Sequence, residues 1–164
     1  MRKITLFLLA VAGLLFSASA VAAPKKAANK PEFRYDIEYV KTVGTGISSV
    51  KVWSYASKAQ AAMEQSRRNA VHGVIFKGYA GPGSSHSPLC KSPSAMTDHA
   101  DFFANFFADG GDYMRYVSSV QEGSDEVVKF GKEYKFGQIV NVNVKELRKA
   151  LENAGIIKGL SSGF

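Results

Sequence analysis

The sequence predicts an α+β domain: a two-layer sandwich in which a mostly antiparallel sheet carries helices on one face. Three observations predict it. Phe33, Tyr35, Ile37 and Tyr39 alternate with Arg34, Asp36, Glu38 and Val40, the period of a strand with one covered side. Ala59, Ala62, Met63, Ser66 and Ala70 recur at helical period, while Lys58, Gln60, Glu64, Gln65, Arg67 and Arg68 cover the other faces. A strand pattern from Glu133 to Val144 then runs directly into a helical one from Lys145 to Ala154. Three helices packed on one side would cover the apolar face of such strands. The element order reads β-β-α-β-α-β-β-α.

The chain opens on a targeting segment. Met1-Arg2-Lys3 is a positive n-region, Ile4 to Phe16 is apolar and uncharged, and Ser17 to Ala23 supplies small residues for cleavage. Residues 1–22 therefore read as a signal peptide, with Ala20 an alternative cut. Its apolar core is shorter than the roughly 20 residues a membrane span requires. Residues 23–31 (APKKAANKP) read as a flexible leader, 32–158 as a single domain and 159–164 as a tail.

Within the domain, Glu32 to Thr42 and Ile47 to Tyr55 are strands joined at Val43-Gly44-Thr45-Gly46, a hairpin. The helix after them starts at Ser57, whose hydroxyl is placed to cap it, and Gly73 is placed to stop it. Val74-Ile75-Phe76 then has the apolar run of a central strand. Ala80 to Ala95, with three prolines and five serines, reads as a long loop. A second helix begins near Thr97 or Asp98, carries Ala100, Phe103, Ala104 and Phe107 on one stripe, and ends at Asp109-Gly110-Gly111-Asp112. Tyr113 to Gln121 is strand-like, Glu122 to Asp125 a turn, Glu126 to Gly131 a short strand or arm. Gly137 marks a bulge in the late strand, and Gly155 stops the last helix.

Composition bounds the function classes. The chain has 164 residues and 46% hydrophobic content, so removing 22 leaves 142 residues, enough for one core. The formal charge of +7 falls to +5 once Arg2 and Lys3 leave with the signal. Export turns a mildly basic chain away from nucleic acid and leaves no transmembrane segment after cleavage. The one cysteine, Cys90, cannot close an internal disulfide, and no cysteine sits at the cleavage site for lipidation.

The chemistry-bearing residues form no strong motif. His86, Cys90 and His99 with Asp98 or Asp101 have zinc-ligand chemistry at no finger or ribbon spacing. Cys90 is a nucleophile candidate that needs His72, His86 or His99 as its base, and an exposed thiol there would join two copies of the chain. His72, at a helix end, suits the negative end of the dipole. Gly44-Thr45-Gly46 and Gly81-Pro82-Gly83 continue into neither dinucleotide nor phosphate fingerprints, so turns explain them. Phe102, Phe103, Phe106 and Phe107 read first as core. Where exposed, they are a partner or ligand surface together with His86, Cys90 and the terminal Phe164.

Val52-Trp53-Ser54-Tyr55, Asn69 to Gly78, Phe106 to Gly111, Gly131 to Lys135 and the Gly159-to-Phe164 tail resemble a family of exported proteins from Bacteroides-like gut bacteria. That resemblance implies a location, not an activity. The alanine-rich helix after a hairpin, and the late strand running into Leu147-x-x-x-Leu151, are similar to small α+β domains of flagellar and envelope-assembly accessory proteins. This chain lacks the lipidation cysteine many of those carry. The expectation is a non-enzymatic, exported accessory domain of a Gram-negative envelope, in the periplasm or at the outer membrane or beyond. It acts through a protein partner and needs no cofactor. The alternative is a small-ligand binder with a pocket between the 80–96 loop and the Phe-rich helix. The third reading is a Cys90-dependent hydrolase.

Overall fold

β1 (Tyr35–Gly44) and β2 (Ile47–Ala56) form the expected antiparallel hairpin, turning at Thr45-Gly46. The computed structural model describes residues 33–120 and 125–159, all within one compact unit that begins at Pro31. The signal peptide, the whole leader, residues 121–124 with most of the expected turn, and the tail from Leu160 to Phe164 lie outside the described residues.

After β2 come α1 (Ala59–His72), β3 (Tyr79–Gly81), β4 (Ser84–His86), α2 (Ala95–Asp98), α3 (Ala100–Phe106), β5 (Val117–Ser119), β6 (Glu126–Phe130), β7 (Glu133–Asn143) and α4 (Val144–Asn153). The class is α+β, and the seven strands form one open, mostly antiparallel sheet of order β4-β3-β1-β2-β7-β5. β6 pairs with β7 beyond β5, and β1 with β3 is the parallel exception. β7 is the spine. One edge pairs with all of β2, from Ile47 opposite Asn143 to Ala56 opposite Tyr134. Its other edge is shared, β5 taking Val140–Val142 and β6 taking Glu133–Gly137.

Alternation decides the two faces. Val50, Val52, Val140 and Val142 point to the covered face and join one core with Ala70, Val71, Val74 and Ile75, the phenylalanines of the α3 region, and Leu147 and Leu151 of α4. Each such side chain contributes about 1.5 to 3 kcal/mol by leaving water. Beneath α1 lies a small polar cluster, in which the Asn69 side-chain amide donates to Ser54 Oγ at 2.8 Å and Ser66 Oγ donates to the Ala62 carbonyl. The buried side of α1 is Ala62, Ser66, Asn69, Ala70 and Val71, while Met63, expected inside, is exposed.

Several local expectations are corrected. Ser57 does not cap α1; Lys58 holds the cap position, with no side-chain bond. Gly73 does not stop the helix, and Val74-Ile75-Phe76 is not a strand. The backbone continues through Gly73–Lys77 as a π-helical turn that ends at Gly78, whose φ of 75° suits a glycine. Gly73 is there for space: a Cβ would sit 2.7 Å from Ile37 Cδ1 and 3.2 Å from the Tyr35 ring, so only glycine lets the helix lie this close to β1.

The 80–96 segment is organised too. It folds back as the β3–β4 hairpin, and then the Leu89 and Cys90 amides donate to the Val74 and Ile75 carbonyls at 3.1 and 2.8 Å. Those are carbonyls that a helix end leaves unpaired. The aromatic helix is two short pieces broken at His99, and Asp112–Tyr116 is a 3₁₀ turn before β5. Gly137 makes no bulge, since β2 and β7 pair without a register shift across it. α4 is capped by the Asn143 side chain, which accepts from the Glu146 amide. It ends as expected at Gly155, whose φ is 70°.

Candidate functional site

Among the described residues no helix packs on the second face of the sheet, which has an organised surface of its own. It follows from the same alternation: Lys51, Trp53 and Tyr55 of β2 face Ile139, Gly137 and Lys135 of β7, with Asp36 and Glu38 of β1 on one side and Glu126 of β6 on the other. Trp53 lies flat over Gly137, where a Cβ would come within 2.5 Å of the indole ring. Glycine thus makes a seat for the aromatic, and the ring in turn shields the glycine backbone.

Cations hold the aromatics. Lys51 Nζ and Lys135 Nζ lie 4.4 and 4.5 Å from the centre of the Trp53 ring. The Arg34 guanidinium stands 5.0 Å from the Tyr55 ring and pairs with Glu133. Lys51 also pairs with Glu126 at 2.6 Å, and the Tyr55 hydroxyl donates to Asp36 at 2.8 Å. Exposed contacts of this kind contribute about 0.5 to 1 kcal/mol each, so they order the face more than they hold the fold together.

At its margin the face becomes apolar. All five residues of β6 are exposed; Val128 and Phe130, opposite Lys135 and Glu133, lie on this face, Val127 is on the other, and Phe130 is 62% exposed. Its ring meets Tyr55 edge-on at 6.5 Å. Among the described residues β6 pairs only with β7, so its outer edge offers unpaired backbone donors and acceptors.

The residues singled out from the sequence are not gathered into one site. Phe103, Phe106 and Phe107 are core residues and Phe102 is partly buried against them, so the first reading, core, describes them and the reading as a partner or ligand surface does not. The dent beside Phe103 and Phe107 measures about 160 Å³, below the usual size of a small-ligand site. A larger cleft borders the 80–96 segment on α4 rather than on the Phe-rich helix. His86 stacks on Tyr79 at 4.6 Å and hydrogen-bonds Ser84. Cys90 is 4% exposed, and burial pushes its thiol pKa up. The expectation of an exposed thiol is thereby corrected, and a disulfide to a second copy would first require that segment to open. Phe164 lies outside the described residues. Among the described residues no three His, Cys, Asp or Glu side chains form a group able to hold a metal. No described helix is long and apolar enough to cross a membrane.

His72 also differs from its expected role at a helix end, since the π-turn carries the backbone on. The ring stacks on Phe33 at 3.8 Å and shares a 2.6 Å hydrogen bond through Nδ1 with the Tyr35 hydroxyl. Burial, helped by Lys77 and Arg68, lowers its pKa to about 4, so it is neutral at ordinary pH. It seals one end of the core.

Trp53, Tyr55, Val128 and Phe130 were not legible as a surface, because each is simply a good strand former. The available signal was the pairing of a large aromatic with Gly137 across two strands. No protein-family model, characterised protein or solved structure matches this chain.

Proposed function

We propose that this protein is an exported, non-enzymatic accessory domain of the cell envelope, and that it holds a partner protein on the β6 edge and the adjoining open face of its sheet. One observation carries the reading: a strand with every residue exposed and with Val127, Val128 and Phe130 among them. Natural sheets guard such edges with proline, bulges or inward charges. β6 has only Glu126 and Lys129, and Glu126 is committed to Lys51. The Trp, Tyr and Arg side chains next to it are the types that dominate binding energy at protein interfaces. An extended partner segment would add a strand to β6 and lay alternate side chains against Phe130 and Tyr55. The signal-like N-terminus supports the envelope location. The buried Cys90, its pKa raised, gives little support to a hydrolase.

The test is a photo-crosslinking residue placed at position 130, 128 or, as a control on another element, at exposed position 114 in intact cells. One envelope protein captured from 130 and 128 but not from 114, and lost on Val128→Lys with Phe130→Asp, is the expected result. Equal capture from all three positions, or only self-crosslinks between two copies, would sink the proposal.

A further inference from the structure

A cleft of about 740 Å³ lies between the Leu89–Ser92 segment and the end of α4. Both walls are fixed by backbone hydrogen bonds. On one side the Leu89 and Cys90 amides are tied to the π-turn carbonyls. On the other, α4 closes in a Schellman motif: the Ile156 amide donates to the Leu151 carbonyl at 2.9 Å and the Gly155 amide to the Glu152 carbonyl at 3.0 Å. That cap turns Ile156 and Ile157 to face Leu89 and Ala95 across the cleft.

The lining has two kinds of chemistry. Leu89, Cys90, Ala95, Ile156 and Ile157 are apolar, the Cys90 thiol included, since burial keeps it protonated. Lys91, Arg148 and Lys158 are cationic, and among the described residues no Asp or Glu lines the cleft. The nearby acid is Glu152, one helical turn along α4, whose Oε1 lies 3.8 Å from Arg148, beyond hydrogen-bond distance. It offsets part of one cation and leaves the field in the cleft positive. The volume falls in the range of small-ligand sites.

We infer that this cleft binds a single-chain anionic amphiphile of the fatty-acid type, with the alkyl chain against Leu89, Ala95, Ile156 and Ile157 and the carboxylate among Lys91, Arg148 and Lys158. Charge complementarity excludes a cationic head, and the apolar walls give a purely polar anion too little to hold. The site is separate from the β6 edge and stands or falls independently of it.

Calorimetry on the purified protein with dodecanoate, dodecanol and dodecyltrimethylammonium, each below its micelle concentration, tests the assignment. Dodecanoate binds one to one, and the ammonium compound at least tenfold more weakly. From decanoate to tetradecanoate, affinity rises about fourfold per methylene until the cleft is full. Lys91→Gln with Lys158→Gln, both at exposed positions, lowers dodecanoate affinity about tenfold and leaves dodecanol unchanged. Ile157→Asp abolishes dodecanoate binding in protein whose melting curve shows it folded. Equal binding of the anionic and cationic compounds, or dodecanoate binding unchanged by both variants, overturns the inference. So does binding to phosphatidylglycerol vesicles without binding of monomeric dodecanoate, which would make this a membrane-surface contact.

Discussion

β2 shows two chemistries on one strand. Its even-numbered residues, from Ser48 to Ala56, lie under the helices, with Val50 and Val52 fully buried. Its odd-numbered residues Lys51, Trp53 and Tyr55 build the open face, where cations and carboxylates surround the rings. Burial holds the covered face together. The open face is held by contacts that water and salt weaken. The difference teaches that stability and recognition are largely separable here: substitutions on the covered face should cost the most folding stability, and those on the open face should cost less and change mainly what the protein touches.

The strongest way to break that comparison is Ile75→Ala. Ile75 is fully buried, and truncation should cost about 2 to 4 kcal/mol, read as a lower urea midpoint. A loss below about 1 kcal/mol would show that the π-turn is not packed as described.

Acid should act next, again through the covered side. The folded pKa of His72 is lowered to about 4 from 6.5, so between those values the unfolded chain binds the extra proton. The contribution is fully present above pH 6.5 and is lost as pH falls through about 4, on the order of 3 kcal/mol in all. His72→Asn should flatten this part of the stability–pH curve. An unchanged curve would show that His72 is not the titrating group.

Gly137→Ala tests the seat under Trp53. The added methyl must push the ring outward, at a cost of about 1 to 2 kcal/mol in thermal unfolding. The smallest effect is expected for Phe130→Asp, within about 0.5 kcal/mol of the parent protein, because the ring is mostly in water. A large loss there would make β6 part of the core and remove the contrast between the faces.

How much of this was legible in the sequence depends on the range of the interaction that decides each residue. The hairpin, β7 and α4 follow from local periodicity and from turn residues such as Gly155, and were readable. Val74-Ile75-Phe76 was not, because a short apolar run does not distinguish a strand from a buried helical turn. Gly73 looked like a stop signal, yet its reason is contact with Ile37 and Tyr35, far away in the chain. The 80–96 segment has loop composition, and nothing local shows that Leu89 and Cys90 satisfy the carbonyls of Val74 and Ile75. The open face was hidden for a similar reason. Alternation gives two faces, but which one the helices cover is settled only when α1 and α4 pack.

The seat that Gly137 provides has an experimental consequence. Trp53 is the single tryptophan of the chain, so the tryptophan emission, excited beyond the tyrosine absorption, comes from one indole pinned to the centre of the open face. Anything that docks there must displace the Lys51 and Lys135 ammonium groups or exclude water from the ring, and the emission will shift. Occupancy of the cleft beside α4 should leave that emission unchanged. Partner binding can therefore be followed by titrating the unlabelled protein and reading one optical signal.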